Sequence, residues 1–222
     1  MGCRYGKRHA RSLALMLGLA GLLGGGGSHA AGWSGFDVIA RHVLAAADAA
    51  GAPAMEIAGV PIAGQRDVQG HTLVLNGAGL RKRFVFDVYV AALYVGQKTQ
   101  DAGALIRSDQ LRRMTLTLLR DIDSKTLADA LNEGLRDNTS AEELAGLQPS
   151  IDAFMDIMNK GGEGRTGDVI DLDMDASGVS VSFQGTVLGT VQDPRFGSAL
   201  LRVWLGEKPA QSSLRKALLG QE

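Results

Sequence analysis

The run from Phe84 to Val95 constrains the fold of this 222-residue chain more than any other segment. It reads FVFDVYVAALYV, and valine, phenylalanine, tyrosine and leucine are the residues that fit a pleated sheet. Thr72–Leu75 has the same character and predicts a preceding strand. The stretch between the two, Gly77–Arg83, is glycine-rich and basic and is interpreted as a linking segment.

The rest of the chain contains blocks of strands and blocks of helices. Further strands are predicted over Arg112–Arg120, Val169–Met174 and Val179–Val191. Helices are predicted to begin near Ser124 and Ser140 and to cover Pro194–Leu205 and Ser212–Leu219. Because strands and helices do not alternate regularly, the order favours an α+β fold over a doubly wound parallel sheet.

Residues 1–30 are predicted to be a secretory signal peptide. The segment begins with four basic residues and no acidic one, namely Arg4, Lys7, Arg8 and Arg11. An apolar run, Ser12–Leu23, follows, and the small-residue pattern Ser28–Ala30 suits a signal peptidase. The apolar run is about a dozen residues long, and a membrane-spanning helix needs roughly 20. We therefore expect export, cleavage before Ala31 and a periplasmic location.

The remainder divides into an N-terminal helix or leader, residues 31–56, and a domain, residues 57–222. Phe36–Ala50 in the leader has helical spacing. Four of the 23 basic residues belong to the signal peptide, which leaves 19 against 24 acidic residues. This balance argues against a nucleic-acid partner. The single cysteine, Cys3, leaves with the signal peptide, so no disulfide is expected, and no second apolar stretch reaches membrane-spanning length.

The motifs for metal, phosphate or hydrolytic chemistry are incomplete. Only His42 and His71 follow residue 30, so a zinc site would need mainly carboxylates. Gly161–Asp168 lacks the Lys-Ser/Thr ending of a phosphate loop and is interpreted as a connector between a helix and a strand. Asp173–Gly178 resembles half a calcium loop that ends in a hairpin turn, but Gln184 stands where the bidentate glutamate belongs. We expect no metal and no cofactor.

Arg81 and Tyr89 are the candidate ligand-binding residues. Arg81 begins a basic trio that is either a solvated turn with Asp87 as ion-pair partner or a cation held against a hydrophobic cavity. In the second case its planar guanidinium would bind a carboxylate through two hydrogen bonds, with Tyr89 as a second donor. On one straight strand the two residues would lie about 26 Å apart. They can share a ligand only if the chain reverses between them, and the glycines and charges of Gly77–Arg83 are the suggested place.

Two longer motifs resemble the chalcone isomerase-like superfamily. One is NGAGLR followed by FVFDVYVAALYV, residues 76–81 and 84–95, and the other is GSALLRVWLGEKP, residues 197–209, with a following Leu-Arg at 214–215. The resemblance covers roughly residues 57–220. It implies an antiparallel β-sheet packed against a layer of helices, with an apolar cleft between them. Plant members close a chalcone to a flavanone, other members bind fatty acids, and both use an arginine at the position that Arg81 matches.

Other positions separate the two branches of that superfamily. Tyr89 stands where the isomerases have a threonine, which resembles the arginine-plus-tyrosine pattern of the fatty-acid-binding members. Leu127 and Gly134 match the helix tyrosine and asparagine of the isomerases, and Val203 replaces a threonine before Trp204; these four residues are the candidate cleft lining. Each unmade hydrogen bond to a buried polar group costs about 1–3 kcal/mol. A cleft without those donors therefore suits an aliphatic chain better than a polyhydroxylated flavonoid.

Three functions follow from these patterns. The favoured one is an exported binding protein for a hydrophobic carboxylate such as a fatty acid, held by Arg81 and Tyr89, with no catalytic residue assigned. The alternative is an isomerase that closes the ring of a chalcone-like enone, with Arg81 stabilising the reacting phenolate. The third is an interaction protein in which the fold is only a scaffold, and the sequence indicates no particular protein partner.

Overall fold

The computed structural model describes residues 53–221, and the predicted signal peptide and the predicted helix Phe36–Ala50 lie outside this range. The strands are β1 (Pro53–Ile57), β2 (Val60–Ala63), β3 (Gln65–Val68), β4 (His71–Arg83), β5 (Phe86–Val95), β6 (Arg112–Leu118), β7 (Ile122–Asp123), β8 (Glu163–Gly164), β9 (Val169–Asp175), β10 (Gly178–Phe183) and β11 (Thr186–Val191). The helices are α1 (Ala102–Arg107), α2 (Ser124–Asp137), α3 (Ala141–Asn159), α4 (Pro194–Leu205) and α5 (Ser212–Leu218).

Seven strands form one antiparallel sheet in the order β11-β10-β9-β6-β5-β4-β3. Strands β1 and β2 pair as a separate hairpin, and β7 pairs with β8. Strands and helices come in blocks, so the predicted α+β class is confirmed. No helix of residues 53–221 combines the length and the apolar character that crossing a bilayer requires.

Strand β5 lies inside the sheet between β4 and β6 and divides the core into two sides. Its side chains alternate, as those of a strand must. Tyr89, Ala91 and Leu93 face the main core, which the helices complete with large buried side chains such as Phe154 and Trp204. Val90, Ala92 and Tyr94 face a smaller core on the other side, which includes Ile62 of β2. A strand buried on both faces explains the nearly uninterrupted apolar run in the sequence.

Several element boundaries differ from the sequence-based predictions. Strand β4 runs without interruption through Gly77–Arg83, and Phe84 forms part of the turn instead of opening the next strand. The predicted strand Val179–Val191 is two strands, because Gln184 and the glycine after it adopt positive φ angles and reverse the chain. Strand β1 begins at Pro53, within the segment that the sequence analysis assigned to the leader. Helix α1 was not predicted.

The glycines of β4 give helix α5 room to approach the strand. A Cβ atom at Gly77 would collide with the backbone oxygen of Ala217 and lie 2.8 Å from the carbonyl carbon of Leu218. A Cβ atom at Gly79 would lie 2.7 Å from the Cβ of Ala217. Asn76 Nδ2 donates a hydrogen bond of 2.8 Å to the Leu218 carbonyl at the same contact. The suggestion that these glycines reverse the chain is therefore wrong, since they lie within the strand and seat a helix.

The carboxylates of the partial calcium motif have other partners. Asp173 accepts two hydrogen bonds from Arg113, of 2.6 and 2.7 Å, across the β6–β9 pair. Asp175 accepts from the Ser177 backbone N–H at 2.7 Å and shapes the turn between β9 and β10. The search of residues 53–221 for grouped histidine, cysteine, aspartate or glutamate side chains that could hold a metal finds none. The predicted hairpin turn is confirmed at this position.

Candidate functional site

A cavity of about 330 Å³ lies between the β4–β5 hairpin and helix α2 and is called the main cavity below. Both candidate binding residues, Arg81 and Tyr89, line it. Its apolar wall consists of side chains from the sheet and from two helices, among them Phe86, Val88, Leu127, Leu131 and Val203. The site therefore combines a mostly hydrocarbon surface with seven polar side chains, namely Arg81, Arg83, Tyr89, Arg120, Asp121, Asp123 and Thr126.

The β4–β5 hairpin brings Arg81 and Tyr89 together. The chain turns at Phe84 and Val85, and Arg81 is then paired directly with Tyr89 across the two antiparallel strands. Residues paired in this way project their side chains to the same face of a sheet. The reversal that a shared ligand requires is therefore present, at the two residues that directly follow the segment in which it was expected.

A β-bulge at Val88 changes which side chains reach the cavity. Arg81 pairs with Tyr89 and Lys82 pairs with Asp87, so Val88 has no partner on β4. Strict alternation would place Val88 on the face opposite to Tyr89. A bulge disturbs that alternation, and both side chains line the main cavity as a result.

The guanidinium of Arg81 is held by the segment that enters α5. Its Nη1 donates to the Lys82 carbonyl at 2.5 Å and to Gln211 Oε1 at 3.3 Å. Gln211 also accepts from the Lys82 backbone N–H at 2.8 Å and donates to the Leu80 carbonyl at 3.2 Å. Within residues 53–221 these two hydrogen bonds come from Nη1, and a guanidinium has five N–H groups, so it keeps further donors for a ligand.

Tyr89 is buried, with 5% of its surface exposed, and it is oriented by a tryptophan. Trp204 Nε1 donates a hydrogen bond of 3.1 Å to the Tyr89 hydroxyl oxygen. Burial raises the pKa of the Tyr89 phenol above its ordinary value, while the Trp204 bond and the nearby Arg81 charge partly oppose this rise. The phenol is therefore neutral near pH 7 and can donate its proton to an acceptor in the cavity.

We expect Tyr89→Phe to lower the free energy of unfolding by about 1–3 kcal/mol, because the buried Trp204 N–H loses its acceptor. Urea unfolding followed by circular dichroism measures this change. In a double-mutant cycle with Trp204→Phe, the double variant should lose less stability than the sum of the two single variants. Additive losses would contradict a stabilising Tyr89–Trp204 hydrogen bond.

The four residues proposed as cleft lining occupy three different places. Leu127 and Val203 line the main cavity. Trp204 is not among the lining residues and lies behind Tyr89, where it serves as the hydrogen-bond donor. Gly134 is also not part of the lining, because a Cβ there would lie 2.7 Å from Val203 Cγ1 and the residue instead lets α2 approach α4. The sequence positions alone do not distinguish residues of the cavity wall from residues one layer behind it.

A second, smaller cavity of about 20 Å³ lies beyond Ile122 and Leu127, and these two residues line both hollows. Its other walls are largely apolar and include Met158, Ile170 and Phe183. Ile122 and Leu127 therefore form a partition between the main cavity and a narrow apolar extension.

Several residues of the site carry no signal in the sequence. Gln211 lies 130 positions beyond Arg81, so no local pattern connects them. Arg120 lies over the ring of Phe86 at 4.6 Å from its centre, a contact that depends on the fold of the sheet. Asp121 lines the cavity but accepts a hydrogen bond of 2.9 Å from the Thr166 backbone.

Comparison with known proteins connects this geometry with a family. The model of the chalcone isomerase-like family matches residues 54–220. The crystal structure of a fatty-acid-binding protein from Arabidopsis thaliana aligns with a TM-score of 0.53 and 17% sequence identity, over 66% of this chain and 86% of that one. At this identity the likeness concerns the fold. A search of curated proteins finds no significant match. The extent of the family match shows that the chain belongs to the chalcone isomerase-like family.

Proposed function

We propose that the protein binds a hydrophobic carboxylate, such as a fatty acid, in the main cavity. The observation that supports this most is the pairing of a half-buried guanidinium, Arg81, with a buried phenol, Tyr89, at the wall of a mostly apolar hollow. The carboxylate would lie against these two groups, and the hydrocarbon would lie against the side chains of β5, α2 and α4.

Arg81 and Tyr89 suit a carboxylate in charge and geometry. A guanidinium binds the two oxygens of a carboxylate through parallel, charge-assisted hydrogen bonds. The neutral Tyr89 phenol adds a further donor. Gln211 holds Arg81 and Trp204 holds Tyr89, so both donors are oriented before a ligand arrives. Such preorganisation reduces the conformational entropy lost on binding.

The size and lining of the main cavity favour a single slender chain. Its volume of about 330 Å³ is near the lower end of the range of roughly 300–1,000 Å³ that is usual for small-molecule sites. Burial of apolar surface contributes about 25 cal/mol per Å², so the hydrocarbon would supply much of the affinity. A structural relative with the same fold is a fatty-acid-binding protein, which is consistent with this proposal.

The isomerase alternative finds no specific support among the described residues. Leu127 and Val203, which line the main cavity, present hydrocarbon where a polyhydroxylated substrate would need hydrogen-bonding partners. The binding function therefore explains the observed lining with fewer unmade hydrogen bonds.

The proposal predicts that the acid form of a ligand is preferred over its ester. We expect dodecanoic acid to bind at least about tenfold more tightly than methyl dodecanoate, because the ester keeps the hydrocarbon but lacks the charge that Arg81 recognises. Displacement of a fluorescent fatty acid measures both affinities. The assay is run at about pH 7.4, where the acid is ionised. Equal affinities, or no displacement by either compound, would overturn the proposal. Mass spectrometry of lipid extracted from the purified protein is the complementary test.

We also propose that the protein acts in the periplasm. The basic, apolar and small-residue sequence of residues 1–30 supports this location. The mass of the protein recovered from the periplasmic fraction should correspond to a chain that begins at Ala31, and an uncleaved chain in the cytoplasmic fraction would contradict it.

A further inference from the structure

The tip of the β4–β5 hairpin, Phe84–Phe86, exposes three consecutive apolar side chains. Phe84 is 90% exposed, Val85 is 86% exposed and Phe86 is 54% exposed. Phe84 and Phe86 also line the main cavity, so the hairpin tip lies at its mouth. Contiguous exposed apolar side chains of this kind mark surfaces that contact a partner or a membrane.

Basic side chains surround the hairpin tip. Arg83 precedes it and is exposed, and Arg120 lies over the Phe86 ring at 4.6 Å from its centre. Lys82 is a further basic residue next to the tip, and it forms an ion pair of 2.8 Å with Asp87. Asp121 and Asp123 line the same cavity, but Asp121 accepts a hydrogen bond from the Thr166 backbone and Asp123 accepts one from the Lys125 backbone. Arg83 and Arg120 therefore offer positive charge that is complementary to an anionic surface.

We propose that the hairpin tip inserts into the headgroup region of an anionic lipid membrane. Aromatic and aliphatic side chains at the end of a narrow hairpin can enter the boundary between headgroups and acyl chains. Arg83 is next to the tip in the chain and Arg120 contacts Phe86, so both can reach lipid phosphates once the tip is inserted, and each basic side chain near such a surface strengthens binding. A membrane accounts for both features of the tip, its apolar end and its basic surroundings.

Because the hairpin tip lies at the mouth of the main cavity, a membrane contact at the tip would bring the cavity next to the bilayer. A hydrophobic ligand could pass between the bilayer and the main cavity at the hairpin tip, because Phe84 and Phe86 also line the cavity. This connection rests on the proposed ligand binding. The membrane contact does not, since it depends only on the exposed tip and its charges, and it can be measured without a fatty acid.

Two valines allow a matched test. Val85 is at the tip and does not line the main cavity, whereas Val187 is 63% exposed on β11, at the opposite edge of the sheet. Val85→Asp and Val187→Asp change the same residue type and the same net charge. All proteins are purified after expression of the full-length chain and are mixed with vesicles of phosphatidylglycerol and phosphatidylcholine in equal parts, or of phosphatidylcholine alone.

We expect the wild-type protein and Val187→Asp to co-sediment with the anionic vesicles, less so at high salt, and to bind the neutral vesicles more weakly. Val85→Asp should bind the anionic vesicles at least about tenfold more weakly. Equal binding of the two variants, or no binding by the wild-type protein, would overturn the proposal. A loss of self-association by Val85→Asp, with vesicle binding unchanged, would instead identify the tip as a protein contact. Fatty-acid displacement measured on the same samples shows separately whether the proposed ligand function fails.

Discussion

Replacing Arg81 by alanine should weaken the binding of dodecanoic acid about thirtyfold or more, which corresponds to about 2 kcal/mol. The side chain is half-buried at the cavity wall, paired with Tyr89 across the hairpin and held by Gln211. Its removal leaves the carboxylate without its charged partner in a mostly apolar environment. The affinity for methyl dodecanoate should change little, so the variant should bind the acid and the ester about equally.

The matched control for this variant is Arg136→Ala. Arg136 is an exposed residue near the end of α2, and its loss changes the net charge by the same amount. The control should bind the acid as the wild-type protein does. Arg81→Lys should give an intermediate affinity, because an ammonium keeps the charge but lacks the planar pair of donors. If Arg81→Ala and Arg136→Ala bind the acid equally well, Arg81 is not the head-group residue.

Replacing Gly77 by alanine should lower the free energy of unfolding by about 3 kcal/mol, since the new methyl group overpacks the contact between β4 and α5. The atoms that it meets belong to the backbone of Ala217 and Leu218, so no side-chain rotation can relieve the clash. For a domain of this size the melting temperature should fall by roughly 10 °C. Thermal unfolding followed by circular dichroism measures this loss.

Gly96→Ala is the control for this substitution. A Cβ atom there would lie 3.5 Å from Gln110 Oε1, which is ordinary van der Waals contact with the end of a flexible side chain. The control should unfold within a few degrees of the wild-type protein. Because Gln211 immediately precedes α5 and holds Arg81, Gly77→Ala should also weaken acid binding. A variant with unchanged stability would show that α5 is not seated on Gly77.

Local periodicity was enough to predict most strands and helices of the domain. The predicted and observed limits of α4 are the same, Pro194–Leu205, because an N-terminal proline and a following glycine mark the ends of an amphipathic pattern. Residue chemistry and the family resemblance indicated Arg81 and Tyr89 as candidate binding residues, and both line the main cavity. Their direct pairing depends on the turn at Phe84, which was not predicted. The residues of this turn are apolar and typical of strands, so the sequence does not reveal it.

The remaining features depend on contacts between distant parts of the chain. Gly77 and Gly79 were attributed to a turn, since a sequence does not reveal that a helix more than a hundred residues later packs on them. The unpaired Val88 follows from the register of β4 against β5 and not from either strand alone. Gly134 was assigned to the cleft, although its environment is set by Val203 of another helix. Strand and helix types were therefore predictable, whereas the layer to which each site residue belongs was not.

The partition formed by Ile122 and Leu127 affects the length of the cavity and not the charged residue, Arg81. If Arg81 binds a carboxylate as proposed, the sheet would fix the polar end of the ligand, and the space for its other end would depend on Ile122 of β7 and Leu127 of α2. Smaller residues at these two positions would join the two hollows and lengthen the space without touching the charged end. Under the proposed function, the length of acyl chain that the protein accepts could therefore change without any change at Arg81.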